Sequence, residues 1–198
     1  MARLEPVPKA EWNDDARAAI RAAMPAVASD RFLSDDPDAP LLTNGIASLL
    51  HHPRLAAAFL GFNGQLLWEP VLDPRVRELV VLRVARHTRS SYEWVQHAKL
   101  SQRYGVSSAE IEAVASGDDS GWAPSDATIL EATDQLLTNY QIDDDTWDQL
   151  ANVMDERTLL ELIFVVGTYT ALAMVFNGID IELDPDLDPA GAPSITSE

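Results

Sequence analysis

The sequence predicts an all-α protein, and three observations carry that prediction. Helix punctuation recurs through the 198 residues: Asp73-Pro74, Ser107 with Glu110, and Asp155 can each open a helix, while Gly105 and Gly117 can each close one. Residues 76–85 and 159–175 are apolar almost all round, the pattern of helices buried on every side. No segment shows the period-two alternation of a half-buried strand.

Residues 1–40 read as an N-terminal extension. Pro6 and Pro8 keep the lead-in extended, Asn13 can cap a short helix over about 14–24, and the acidic, proline-containing stretch 29–40 reads as a loop. The helical domain follows over 41–180. Its first helix spans about 41–51, and Pro53 opens a second through about Trp68, with Leu55, Phe59 and Leu66 toward the core. His51 and His52 sit at that boundary as capping or surface residues. Asp73 opens the helix bearing Glu78. Ser90 and Glu93 have capping-box spacing and open the next, and Ser107 and Glu110 open a third. Beyond a linker at 118–124, helices are expected over about 125–138 and, behind Asp143, to about Met154. Asp155 then caps the long apolar helix to Asn177. That helix contains Glu161, Thr168, Tyr169 and Thr170, which argues for a core helix over a membrane span. Residues 181–198 form an acidic tail, expected to be mobile beyond Pro185.

Charge and cysteine content exclude several functions. With 32 acidic against 14 basic residues the net charge is −18, which disfavours nucleic acid and anionic membrane surfaces as partners. Zero cysteines exclude disulfides, thiolate catalysis and sulfur-ligated metals. The N-terminal stretch lacks the apolar core of a signal peptide, so a cytoplasmic location is expected.

The chemistry concentrates in Glu78, Glu93 and His97. Glu93 and His97 are four residues apart and project from one helix face, and the short turn at 88–91 brings the Glu78 helix alongside. A carboxylate beside an imidazole sets its tautomer and makes it a proton donor or shuttle, so His97 is expected to face Glu78 or Glu93. Simpler roles stay open: Glu93 closing the capping box, His97 half-buried, Glu78 paired with Arg83 or Arg75. The three could also supply metal ligands, although no metal is assigned. Ser90, Ser91 and Tyr92 offer hydroxyls at a helix N-terminus, a favourable place for an anion. Arg83, Arg86 and Arg89 add local positive charge suited to a carboxylated substrate, and His87 lies near the same turn.

Arg77-Glu78-Leu79, the apolar run ending Arg83-Val84-Ala85, Thr88, Tyr92-Glu93-Trp94, His97, Gly105 and Glu110-Ile111 together resemble the carboxymuconolactone decarboxylase family, related to the alkylhydroperoxidase D-like proteins. The resemblance extends to the Pro8–Trp12 segment and the apolar helix near 168–177. It implies a single-domain alkylhydroperoxidase D-like bundle that assembles as a trimer or hexamer. The implied enzyme works in aromatic catabolism on a small anionic substrate and needs no cofactor: a carboxylated lactone loses carbon dioxide and is reprotonated. His97 would donate the proton, Glu93 and Glu78 would orient it or share the proton, and Tyr92 or a serine would stabilise the oxyanion. Ser90, Ser91, Arg83 and Arg86 would help bind substrate. The family's peroxidase branch carries two cysteines where this chain has Ser90 and Glu93, so dithiol peroxidase chemistry is not expected. The other readings are a peroxidase-family homologue without that activity and a non-catalytic binding or assembly protein.

Overall fold

Ten α-helices and no strand make up the computed structural model among the residues it describes, 1–36, 39 and 42–195. The chain divides into two compact units, Met1–Pro70 with Gly178–Pro185, and Val71–Asn177 with Asp186–Glu198.

In the first unit, α1 (Asp14–Ala23), α2 (Ala26–Leu33), α3 (Asn44–Leu49) and α4 (Pro53–Trp68) contribute to one core. Asn13 caps α1 by accepting from the Ala16 N–H at 2.9 Å. Ala16, Ala19 and Ala23 give α1 a narrow apolar face, and small side chains there let α4 pack closely. Trp12 joins this core and donates its indole N–H to the Val7 carbonyl at 2.9 Å. His52 Nδ1 accepts from the Leu55 N–H at 3.3 Å and caps α4.

Three expectations are corrected here. Residues 29–33 are helical, not loop: α2 starts behind Pro25, and Ser29 and Leu33 are buried. The helix expected from 41 begins at Asn44, and residues 40 and 41, where the domain boundary was expected, lie outside the described residues. Leu55 is 62% exposed. The core stripe of α4 follows Ala56, Leu60, Asn63 and Gly64, which leaves Leu55 off the buried face.

The second unit is built around α5 (Pro74–Thr88). Asp73 accepts from the N–H groups of Arg75 and Val76, and Pro74 occupies a first-turn position that needs no donor. Every residue from Arg77 to Ala85 is buried. A fully buried leucine or valine contributes about 1.5–3 kcal/mol, so this helix anchors its unit. Around it pack α6 (Ser91–Ser101), α7 (Ser108–Ser116) and α8 (Pro124–Asn139), with α9 (Asp144–Ala151) against α8. Arg89, with φ of 54°, closes α5 in a left-handed conformation and turns the chain back into α6. The final helix, α10 (Glu156–Ile179), uses Glu161 to accept from the Val71 and Leu72 N–H groups at 3.0–3.1 Å, and Asn177 donates to the Thr88 carbonyl at 2.9 Å. By length and composition α10 could cross a membrane, yet half of its most apolar stretch is buried within the protein.

Ser107 and Glu110 form the expected capping box. Ser90 and Glu93 do not: Ser90 stands at the N-cap of α6 without a side-chain cap bond. The tail beyond Pro185 meets α6, where the Trp94 indole N–H donates to the Pro193 carbonyl at 2.7 Å. Residues 196–198 lie outside the described residues.

Candidate functional site

The reversal at Arg89 lays α6 along α5, so His97 arrives beside Glu78, 19 residues earlier in the chain. His97 Nδ1 lies 2.7 Å from Glu78 Oε2. Glu78 is fully buried and its other oxygen, Oε1, accepts from Arg77 Nε at 3.2 Å and Nη2 at 3.1 Å. Burial alone would raise the Glu78 pKa. The charges and hydrogen bonds of His97 and Arg77 outweigh it and hold the carboxyl below its ordinary value. An ionised Glu78 accepts only, so Nδ1 carries the proton and Nε2 is the remaining ring nitrogen. Tyr169 stacks edge-on against His97 with centroids 5.2 Å apart, and burial raises the Tyr169 pKa, so its hydroxyl stays neutral. The His97 side chain keeps 12% exposure, against none for Glu78.

Glu93 has the opposite environment. It is 2% exposed, and among the described residues neither of its oxygens has a hydrogen-bond partner. Ser90 Oγ is likewise buried without a partner. Burial pushes the Glu93 carboxyl up to about 7; the nearby Ser90 hydroxyl and the His97 charge pull downward without offsetting it. The Ser90 hydroxyl exerts that pull without making a hydrogen bond to either Glu93 oxygen.

The remaining sequence candidates are spread out. Arg83 forks onto Asp134, with Nε to Oδ1 at 2.7 Å, and its Nη2 also reaches Asp119 at 3.0 Å. Arg83 therefore pairs with these acids and not with Glu78. Arg75 pairs with Glu110 and Asp126. Arg86 lies over Gly117 at the end of α7, with Nε 3.5 Å from the Ala115 carbonyl. A cavity of about 280 Å³ is lined by Arg83, Asp119, Trp122, Glu131 and Asp134 among others, and by none of Glu78, Tyr92, Glu93 and His97. Tyr92 is buried, packs edge-on against Phe176 and accepts from Gln96 Nε2 at 3.4 Å. Ser91 and His87 are exposed. Glu78, Glu93 and His97 do not converge as metal ligands; among the described residues no group of three His, Asp or Glu does.

Arg77 is the partner that sequence reasoning missed. Neighbours at i and i+1 on a helix point about 100° apart, so spacing gives no sign of their pairing. The only signal was the need of a buried glutamate for some cation.

Residues 53–134 match the carboxymuconolactone decarboxylase family. No curated protein matches the chain. Among solved structures, the debrominase Bmp8, in a substituted form bound to 2,3,4-tribromopyrrole, superposes with a TM-score of 0.70 at 15% identity, over 92% of this chain and 91% of that one. An uncharacterised peroxidase-related protein of Ralstonia eutropha, an alkylhydroperoxidase AhpD core, gives 0.70 at 15% identity over 92% and 94%. ATU0492 of Agrobacterium tumefaciens, a protein of unknown function, gives 0.63 at 14% identity over 70% and 96%. At these identities the likeness is one of fold.

Proposed function

Because residues 53–134 carry the carboxymuconolactone decarboxylase family's sequence on an alkylhydroperoxidase D-like fold, we propose that this chain is a cofactor-free enzyme. It decarboxylates, or moves a proton on, a carboxylated lactone or a related small acid. One observation carries the reading: the buried Glu78 holds His97 at 2.7 Å, and a second buried carboxyl, Glu93, stands one turn away with no partner. Two carboxyls pushed in opposite directions take opposite tasks. Glu78, held as an anion, orients the imidazole and would stabilise positive charge developing on it during proton transfer. Glu93, with a pKa of about 7, is a proton source below that pH.

In the proposed reaction the bond to the departing carboxylate breaks, and its electron pair moves into the conjugated lactone carbonyl. Carbon dioxide leaves, and a proton from Glu93, directly or through His97, returns to carbon. The lactone is its own electron sink, so the protein needs to supply only orientation, charge stabilisation and a proton. Ser90, Ser91 and Tyr92 at the start of α6 are the proposed anion-binding groups. Arg83 and Arg86 are already engaged by Asp134, Asp119 and the end of α7, which argues against their binding substrate directly. Dithiol peroxidase chemistry is closed to a chain without cysteine.

Assembly into a trimer or hexamer, in the cytoplasm, is part of the same proposal. It is supported by α10, whose exposed face carries Leu160, Phe164, Met174 and Val175, with Gly167 and Ala171 between them. An apolar stripe at this helical spacing suits a second copy of the chain.

The test is a panel of carboxylated lactones assayed for carbon dioxide release by the protein and by its His97→Gln variant. A role in proton transfer predicts a folded variant slowed by about 10²–10⁴-fold. A destabilised but fully active variant removes His97 from the chemistry.

A further inference from the structure

We propose that Arg77 is the positioning residue of the Glu78–His97 pair: by occupying one oxygen of Glu78 it presents the other to His97 and keeps the carboxyl ionised. The inference rests on the proposed proton-handling role of that pair only for its consequence in turnover.

The two oxygens of Glu78 are divided between two partners. Both of the Arg77 contacts to Glu78, from Nε and Nη2, fall on Oε1. Oε2 is thereby left to His97 Nδ1. A carboxylate held at one oxygen by a planar guanidinium cannot rotate without breaking those contacts, so the direction of Oε2 follows from Arg77. Burial gives the cation a second role. Arg77 is 2% exposed and Glu78 0%; burial drives the carboxyl toward its protonated form, His97 opposes this most strongly, and Arg77 adds its charge and hydrogen bonds to that opposition. A protonated Glu78 would no longer demand the Nδ1–H tautomer of His97.

Arg77 is itself held in place. Its guanidinium lies 5.2 Å from the centre of the Tyr104 ring. Tyr104 belongs to the single helical turn Gln102–Tyr104 that follows directly from α6, the helix that carries His97. One cation therefore ties the end of the His97 helix to the carboxylate that orients His97. The other charged or titratable groups facing the pair are Glu93, on α6, and Tyr169, on α10. Neither contacts Glu78 through a hydrogen bond given by the geometry, so neither replaces Arg77.

The experiment follows the side-chain carboxyl ¹³C signal of Glu78 and the ring ¹⁵N signals of His97 by NMR, as a function of pH, in the full chain. The Glu78 signal is assigned by its loss in Glu78→Gln. Arg77→Met is expected to raise the Glu78 titration midpoint by about one unit, a tenfold fall in the ratio of ionised to protonated carboxyl at fixed pH, and to scramble the His97 tautomer. Arg77→Lys keeps the charge and should restore the ionised Glu78 while loosening the tautomer, because an ammonium lacks the fork. Should Arg77→Met not fold, the Lys variant still tests orientation. An unchanged Glu78 midpoint in Arg77→Met, or an unchanged His97 tautomer in both variants, overturns the proposal. Failure of the enzyme reading is a separate result, full activity of His97→Gln, and leaves these signals unaffected.

Discussion

Glu93→Gln should make the protein's stability less dependent on pH, and the size of the effect follows from the site. In the folded chain the Glu93 carboxyl has a pKa of about 7, against 4.5 for the unperturbed group. A raised carboxyl pKa means that the folded state binds a proton more tightly than the unfolded state. Stability from this group is therefore present at low pH and is lost as pH rises from the unfolded value through about 7. For these two values the loss between pH 5 and pH 8 is about 2–3 kcal/mol. Glutamine has nearly the same shape and no ionisation. Any constant cost of leaving its amide unpaired is the same at every pH and drops out of the comparison. The assay is urea unfolding of both proteins at several pH values between 5 and 8, read as midpoints with the slope checked for constancy. Relative to the wild type, the variant should gain about 2–3 kcal/mol across that range. A difference between the two proteins that stays flat with pH would mean that Glu93 is ionised and paired in the folded state, and the acid role assigned to it would fall.

Turnover on any substrate found should decline above about pH 7 as Glu93 loses its proton, and a kcat/KM profile with no such limb would remove Glu93 as the acid. Asp134→Ala should cost about 2 kcal/mol, because it strips the buried Arg83 guanidinium of its two-point partner; an unchanged urea midpoint would show the pair to be dispensable. Met174→Glu together with Phe164→Glu should dissociate the proposed assembly, since both residues lie on the exposed apolar face of α10; sedimentation giving the same mass for both proteins would count against an interface on that face. Metal-free protein supplied with a dithiol and a hydroperoxide should show no turnover, and thiol-dependent consumption would contradict the absence of a reactive sulfur.

Most helices, and the starts of the capped ones, were legible in the local sequence; α2 and the start of α3 were not. Asn13, Asp73, Ser107 with Glu110, Asp143 and Asp155 act within a few residues of the backbone groups they satisfy, so their effect is visible in the local string. The meeting of His97 with a carboxylate was also legible, because a short turn between two helices leaves few registers for their side chains. Tertiary structure alone decided which carboxylate it would be. Glu78 sits on a helix buried on every side and had to be compensated there, whereas Glu93 was drawn inward without a partner. For the same reason Ser90 and Glu93, correctly spaced for a capping box, do not form one. The choice of Arg77 over Arg75 or Arg83 was equally invisible: acids on α7 and α8 and in the 118–123 loop, tens of residues away, hold the latter two. Leu55 and α2 were misread because a short apolar or acidic stretch carries no record of which neighbour will cover it. Local hydrogen bonding is written in adjacent residues. Burial depends on distant segments, and it is burial that assigns each charge its partner and sets each carboxyl's pKa.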